Sequence, residues 1–256
     1  MPFDSLFAYL EQLHGGAPWG RVLDAGTGWG SLEWLAGLET ESITAVTGDS
    51  AWKERLEHDL GPRLRAQDRV VVGNWTDPDL LLGERFEVVL VDYLIGAVDR
   101  LAPYYQTRLL GRLKRHVGQR LYVIGLEPYP PAGQHAAGRL VNEIANLRDA
   151  TLLLARQRPH REYPRWWVLE QLALQGYEVI SERAFPILYG QPFVQAELDV
   201  CRRALEGVPA ALRASLDAYE RELRQRALAY VGEHEGGLPW GADYVIAAVP
   251  KSPRGP

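Results

Sequence analysis

Val22-Leu23-Asp24-Ala25-Gly26-Thr27-Gly28-Trp29-Gly30 is the stretch on which the fold turns. Its apolar start reads as a short buried strand that ends in an acid. Three glycines follow at alternate positions. Glycine reaches backbone angles that other residues avoid, and its missing side chain lets another molecule touch the main chain. The loop then opens a helix running to about residue 38, whose first N–H groups point at whatever lies above the strand end. In an open α/β sheet that crevice is the usual ligand site.

Outward from this loop, strands alternate with helices. Residues 43–47 (ITAVT), 69–72, 86–91 (FEVVLV), 121–126 (LYVIGL), 177–181 (YEVIS) and 243–249 (DYVIAAV) read as further strands. Helical periodicity marks residues 3–13, 52–60, 104–117, 138–155, 166–175, 193–206 and 208–230. The gaps between strands are too long for hairpins and suit helical crossovers. The expectation is an α/β fold: a seven-stranded, mostly parallel sheet flanked by helices, with helical insertions. The whole chain, 1–256, reads as one domain, with insertions at about 128–165 and 186–240 that form a cap over an acceptor pocket or a dimer interface. Residues 250–256 are expected to carry no regular structure.

Composition narrows the class. Hydrophobic residues make up 46% and charged residues 24%, as in ordinary globular chains. The single cysteine, Cys201, rules out an internal disulfide and fits a cytoplasmic setting. No apolar run approaches the ~18 residues of a membrane helix, so no membrane partner is expected. The N-terminal stretch lacks the basic start of a signal peptide. A net charge of -5 argues against a phosphate-gripping surface, so no nucleic acid is expected. Arg108, Arg112, Lys114, Arg115 and Arg120 lie close together in sequence and read as a solvated helix face.

Two cofactor classes compete for the loop. A dinucleotide needs G-x-G-x-x-G with its diphosphate on the helix start. Here the third glycine comes one place early, and Ser31 stands where it would be. An acid at the strand tip also suits a cationic amino group better than a diphosphate. The D-x-G-x-G-x-G pattern therefore favours S-adenosylmethionine, with Asp24, Gly26, Thr27, Gly28 and Gly30 as its contacts.

With that loop, the chain resembles the class I S-adenosylmethionine-dependent methyltransferases over roughly residues 21–181 plus the last strand. The resemblance implies that Asp49, after the second strand, accepts hydrogen bonds from the ribose hydroxyls; the bland alternative is a helix N-cap. Ser50 follows where the family often has an apolar residue beneath the adenine. Asn74 stands where an acid commonly meets the adenine amino group. Trp75 either stacks on the adenine or belongs to the core. Asp92 ends the fourth strand, where the family places cofactor or substrate contacts, and is a candidate general base.

Glu127, after the fifth strand, and His135 in the following loop are further candidate catalytic groups. Asp92 and Glu127 imitate part of a magnesium set, but no third ligand follows, so no metal is expected. The function expected is methylation of a small molecule at oxygen or nitrogen; a homodimer is expected where the insertions serve as an interface. Two alternatives remain. Aminopropyl transfer would use acids such as Asp92 and Asp99; a non-catalytic cofactor-binding subunit would need neither.

Overall fold

The fourth strand shows why the sheet forms: in Phe86–Asp92 every residue but Glu87 is buried. Such a continuous apolar run is stable only when helices cover both faces. The computed structural model describes residues 4–251. In chain order these form α1 (Asp4–His14), β1 (Arg21–Asp24), α2 (Trp29–Ala36), β2 (Ser42–Thr47), α3 (Ser50–Leu60), β3 (Arg69–Val72) and β4 (Phe86–Asp92). Then come α4 (Leu94–Ala97), α5 (Gln106–Lys114), β5 (Val117–Leu126), α6 (Ala136–Leu154) and α7 (Arg165–Leu174). The chain continues with β6 (Tyr177–Tyr189), α8 (Gln191–Ala204), α9 (Ala210–Glu233) and β7 (Leu238–Pro250). Of the expected first helix, Phe3 lies outside the described residues, as do residues 252–256 of the expected tail.

Two compact units emerge. One comprises residues 4–127, 161–184 and 243–251, the other residues 128–160 and 185–242. The boundaries fall within β6 and β7. The sheet order is β3-β2-β1-β4-β5-β7-β6. β1 pairs in parallel with β2 and β4, as do β2 with β3 and β4 with β5. β7 runs antiparallel to β5. Strand order therefore reverses between β1 and β4, the kind of switch point at which open sheets leave a crevice.

In the first unit, Leu109, Leu110 and Leu113 bury one face of α5 against the core that also holds Leu23, Val89, Val91 and Val123. Each such side chain contributes about 1.5–3 kcal/mol relative to exposure. In the second unit, α6, α8 and α9 share a separate core of Val141, Ile144, Val194, Leu198, Leu223 and Ala227.

Two expectations need correction. The helix expected over 104–117 ends at Lys114, and β5 begins already at Val117. Gly118 permits this, because a Cβ there would come 2.7 Å from the Phe86 carbonyl oxygen, where β4 and β5 shift register. The basic cluster is a solvated face only in part: Arg108 and Arg115 are exposed, and the other three turn to the protein. Arg112 is buried and donates to the carbonyls of Asp77 and Leu80 and to His116 Nε2, at 3.0, 2.8 and 2.6 Å. Lys114 donates to the Gln175 carbonyl and Arg120 to the Leu13 carbonyl.

Candidate functional site

The glycine loop is pinned from four directions. Ala25 N donates to the Leu90 carbonyl on β4 at 2.9 Å, and Thr27 N to the Val46 carbonyl on β2 at 2.8 Å. Trp75 Nε1 donates to the Ala25 carbonyl at 2.7 Å, and Trp52 Nε1 to the Thr27 carbonyl at 3.3 Å. Ser31, one turn into α2, accepts from Gly28 N at 3.1 Å. Gly30 lies in the first turn of α2. The glycines serve different ends. A Cβ on Gly26 would meet Leu94 Cδ1 at 2.7 Å, so packing beneath the loop demands glycine. A Cβ on Gly28 would meet nothing nearer than Ser31 Oγ at 4.0 Å, so its main chain stays open to a neighbour.

Three carboxylates share one face of the sheet beside this loop. Asp24 pairs with Leu90, two residues before Asp92; Asp92 pairs with Ile124, which pairs with Val245, two residues after Asp243. Side chains alternate along a strand, so Asp24, Asp92 and Asp243 occupy one face at one end of the sheet. Asp24 is fully buried, and neither of its oxygens has a hydrogen-bond partner. Burial pushes its pKa up to about 6; the Ser31 and Thr27 hydroxyls and the Gly26 N–H draw it partly back by proximity, although both hydroxyls donate to the Gly28 carbonyl rather than to Asp24.

Asp92 is 9% exposed, with Oδ1 unpartnered. Burial pushes it up to about 8, helped by the negative charges of Asp24 and Asp243. Burial also raises Asp243 to about 6, against a hydrogen bond from the Tyr93 side chain. Tyr93 has a left-handed backbone, φ 48°, where the chain leaves β4 for α4. For a non-glycine residue that conformation costs of order 1 kcal/mol or more.

The remaining expected residues are spread around this group. Asp49 caps α3, its Oδ1 accepting from Ala51 N at 3.0 Å and Trp52 N at 3.3 Å, and exposed Ser50 opens that helix. Asn74 Oδ1 already accepts from Thr76 N and Oγ1, at 3.0 and 2.9 Å, and its Nδ2 donates to the Leu101 carbonyl. Trp75 is a core residue, 3% exposed, its ring beside His116 and beneath the Arg112 guanidinium. Glu127 accepts from the Arg165 backbone N at 3.2 Å and steadies the start of α7. His135 belongs to the helical unit, where its Nδ1 accepts from Gly138 N at 3.0 Å as the cap of α6.

Asp99 is buried and accepts from Tyr104 N and Gln106 Nε2, at 3.3 and 3.1 Å, so it belongs to a loop scaffold. Among the described residues no three His, Cys, Asp or Glu side chains are placed to hold a metal ion. None of the described helices is long and apolar enough to cross a membrane. Reading the residues alone missed Trp52 and Asp243. A strand beginning with an acid was the one signal for the latter.

No family model and no curated protein matches the sequence. Solved structures do match. A protein of Bacillus halodurans assigned as a methyltransferase is 17% identical, with 96% of this chain and 100% of that one covered at a TM-score of 0.63. The chain has the class I methyltransferase fold. A S-adenosylmethionine-dependent methyltransferase of Geobacter sulfurreducens, in complex with S-adenosyl-L-homocysteine, shares that fold at 14% identity, 98% and 92% coverage and a TM-score of 0.54. So does the 4+2 cyclase SpnF, at 15% identity, 98% and 81% coverage and a TM-score of 0.58. The class I fold thus hosts more than one chemistry, and the site must carry the functional argument.

Proposed function

We propose that the chain is a S-adenosylmethionine-dependent methyltransferase acting on oxygen or nitrogen of a small molecule. The observation that carries this reading is Asp24, fully buried with both oxygens unpartnered at the head of a pinned glycine loop. A buried carboxylate without a counter-charge costs several kcal/mol; the ammonium of an amino-acid ligand supplies one. The residues therefore fit the cofactor. Asp24 would hold its amino-acid end, and the bare main chain at Gly28 would allow close approach. Asp49 would use Oδ2 for the ribose, since both cap bonds fall on Oδ1.

When bound, S-adenosylmethionine supplies a methyl group already activated on a sulfonium. What is left to the protein is to orient the acceptor and exclude water. Asp92 is suited to take the acceptor's proton in its ionised form; because it is raised to about 8, that form and the turnover that uses it should grow as pH rises above neutrality. A small acceptor accords with the net charge of -5, and we extend the reading to a cytoplasmic enzyme. Aminopropyl transfer loses one of its two acids, since Asp99 is held within its own loop.

Incubation with methyl-labelled S-adenosylmethionine and a metabolite extract tests the proposal. Labelled product with released S-adenosylhomocysteine is expected. Methylthioadenosine released from the decarboxylated cofactor would point to aminopropyl transfer instead. Absence of turnover and of cofactor binding would leave a non-catalytic protein.

A further inference from the structure

Three carboxylates on one face are more than the amino-acid end of one cofactor needs. Asp24 answers to that end. Asp92 and Asp243 are then left together, one on β4 and one on β7, on either side of β5. Asp92 is more than nine-tenths buried, and its Oδ1 has no partner. Asp243 accepts a hydrogen bond from the Tyr93 side chain, which fixes its position. The groups bearing on Asp92 from neighbouring strands are both acids, Asp24 from β1 and Asp243 from β7. Acids sharing one buried face are unfavourable in their charged forms unless one of them is protonated or a cation sits among them.

We propose that Asp92 and Asp243 form the seat of a protonated amine, so that the acceptor is a primary or secondary amine and the atom methylated is nitrogen. This deepens the methyltransferase reading and rests on it. Asp243 receives the ammonium by charge. Asp92 takes one of its protons: the N–H bond breaks, its electron pair stays on nitrogen as the nucleophilic lone pair, and the proton goes to Oδ1. An alcohol or phenol brings no positive charge and leaves the two acids without a counter-ion.

Methylammonium carries the head group common to all such acceptors and tests the seat without knowledge of the rest of the molecule. The protein is saturated with S-adenosylhomocysteine and the Asp92 carboxyl is followed by carbon NMR, assigned with Asp92→Asn. Methylammonium at tens of millimolar is expected to lower the proton affinity of Asp92 about tenfold, one pKa unit. Methanol at the same concentration is expected to leave it unchanged. Asp243→Asn should abolish the methylammonium effect while S-adenosylhomocysteine still binds. An Asp92 signal unmoved by methylammonium, moved equally by methanol, or moved unchanged in Asp243→Asn overturns the amine seat. Failure to saturate with S-adenosylhomocysteine overturns the cofactor reading instead, and the amine seat with it.

Discussion

Replacing Asp24 by asparagine should make the ligand-free protein more stable and the liganded one less so. The native pKa is pushed from 3.8 to about 6 by burial. A carboxyl raised in the folded state carries no penalty below its unfolded value and loses stability as pH rises through the native one. At about 1.36 kcal/mol per unit, ionised Asp24 costs the empty protein about 3 kcal/mol at pH 8. The amide removes that charge but leaves a buried polar group of its own, worth about 1–3 kcal/mol. A net gain of up to about 2 kcal/mol follows, and each kcal/mol raises Tm by roughly 2–4 °C in a chain of this size. Affinity for S-adenosylhomocysteine should move the other way. Loss of one partner of a buried charge pair costs about 2 kcal/mol or more, or roughly 30-fold. Thermal melts followed by circular dichroism at pH 8, with and without S-adenosylhomocysteine, and calorimetric titration read both effects. Opposite signs are the signature of a charge kept for a ligand. A ligand-free variant that melts below wild type, or one that binds S-adenosylhomocysteine as tightly as wild type, would refute the reasoning.

Gly26→Ala should cost about 1–3 kcal/mol in urea unfolding, because its Cβ would press on Leu94. Gly28→Ala should leave unfolding nearly unchanged and weaken cofactor binding, because the space it fills is open. Trp75→Phe should cost about 1–2 kcal/mol by leaving the buried Ala25 carbonyl without its donor, and should weaken binding through the loosened loop. His116 is neutral in the fold, its pKa lowered by burial, with Nδ1 bound to the Glu84 carbonyl and Nε2 accepting from Arg112. Its contribution is present above its unfolded value near 6.5 and is lost as pH falls below that. Unfolding at pH 7.5 and 5.5 should therefore show a steeper acid loss in wild type than in His116→Gln.

Much of the architecture was legible because burial on two faces leaves a mark in the chain. β4 is a nearly unbroken apolar run, β2 carries Ile43, Ala45 and Val46 through its middle, and Gly61 follows α3 where the helix stops. The loop around Asp24 was legible for a similar reason: alternating glycines behind an acid have few other uses. The rest of the site was not, because it depends on pairings across the sheet. Asp243 enters only because β7 runs antiparallel beside β5 and brings its middle to the end of the sheet where Asp92 lies. Nothing within residues 238–250 specifies that neighbour. Trp52 and Trp75 support the loop through single indole hydrogen bonds to carbonyls 25 and 50 residues away in sequence. The left-handed turn at Tyr93 lacks the glycine that would have announced it.

Calorimetric titration of the wild-type chain with S-adenosylmethionine near pH 6, in two buffers of different ionisation enthalpy, tests the central claim most directly. One equivalent should bind, and protons should be released to the buffer as the ligand's ammonium lowers the raised pKa of Asp24. Absence of binding, or binding with no proton released, would contradict the account.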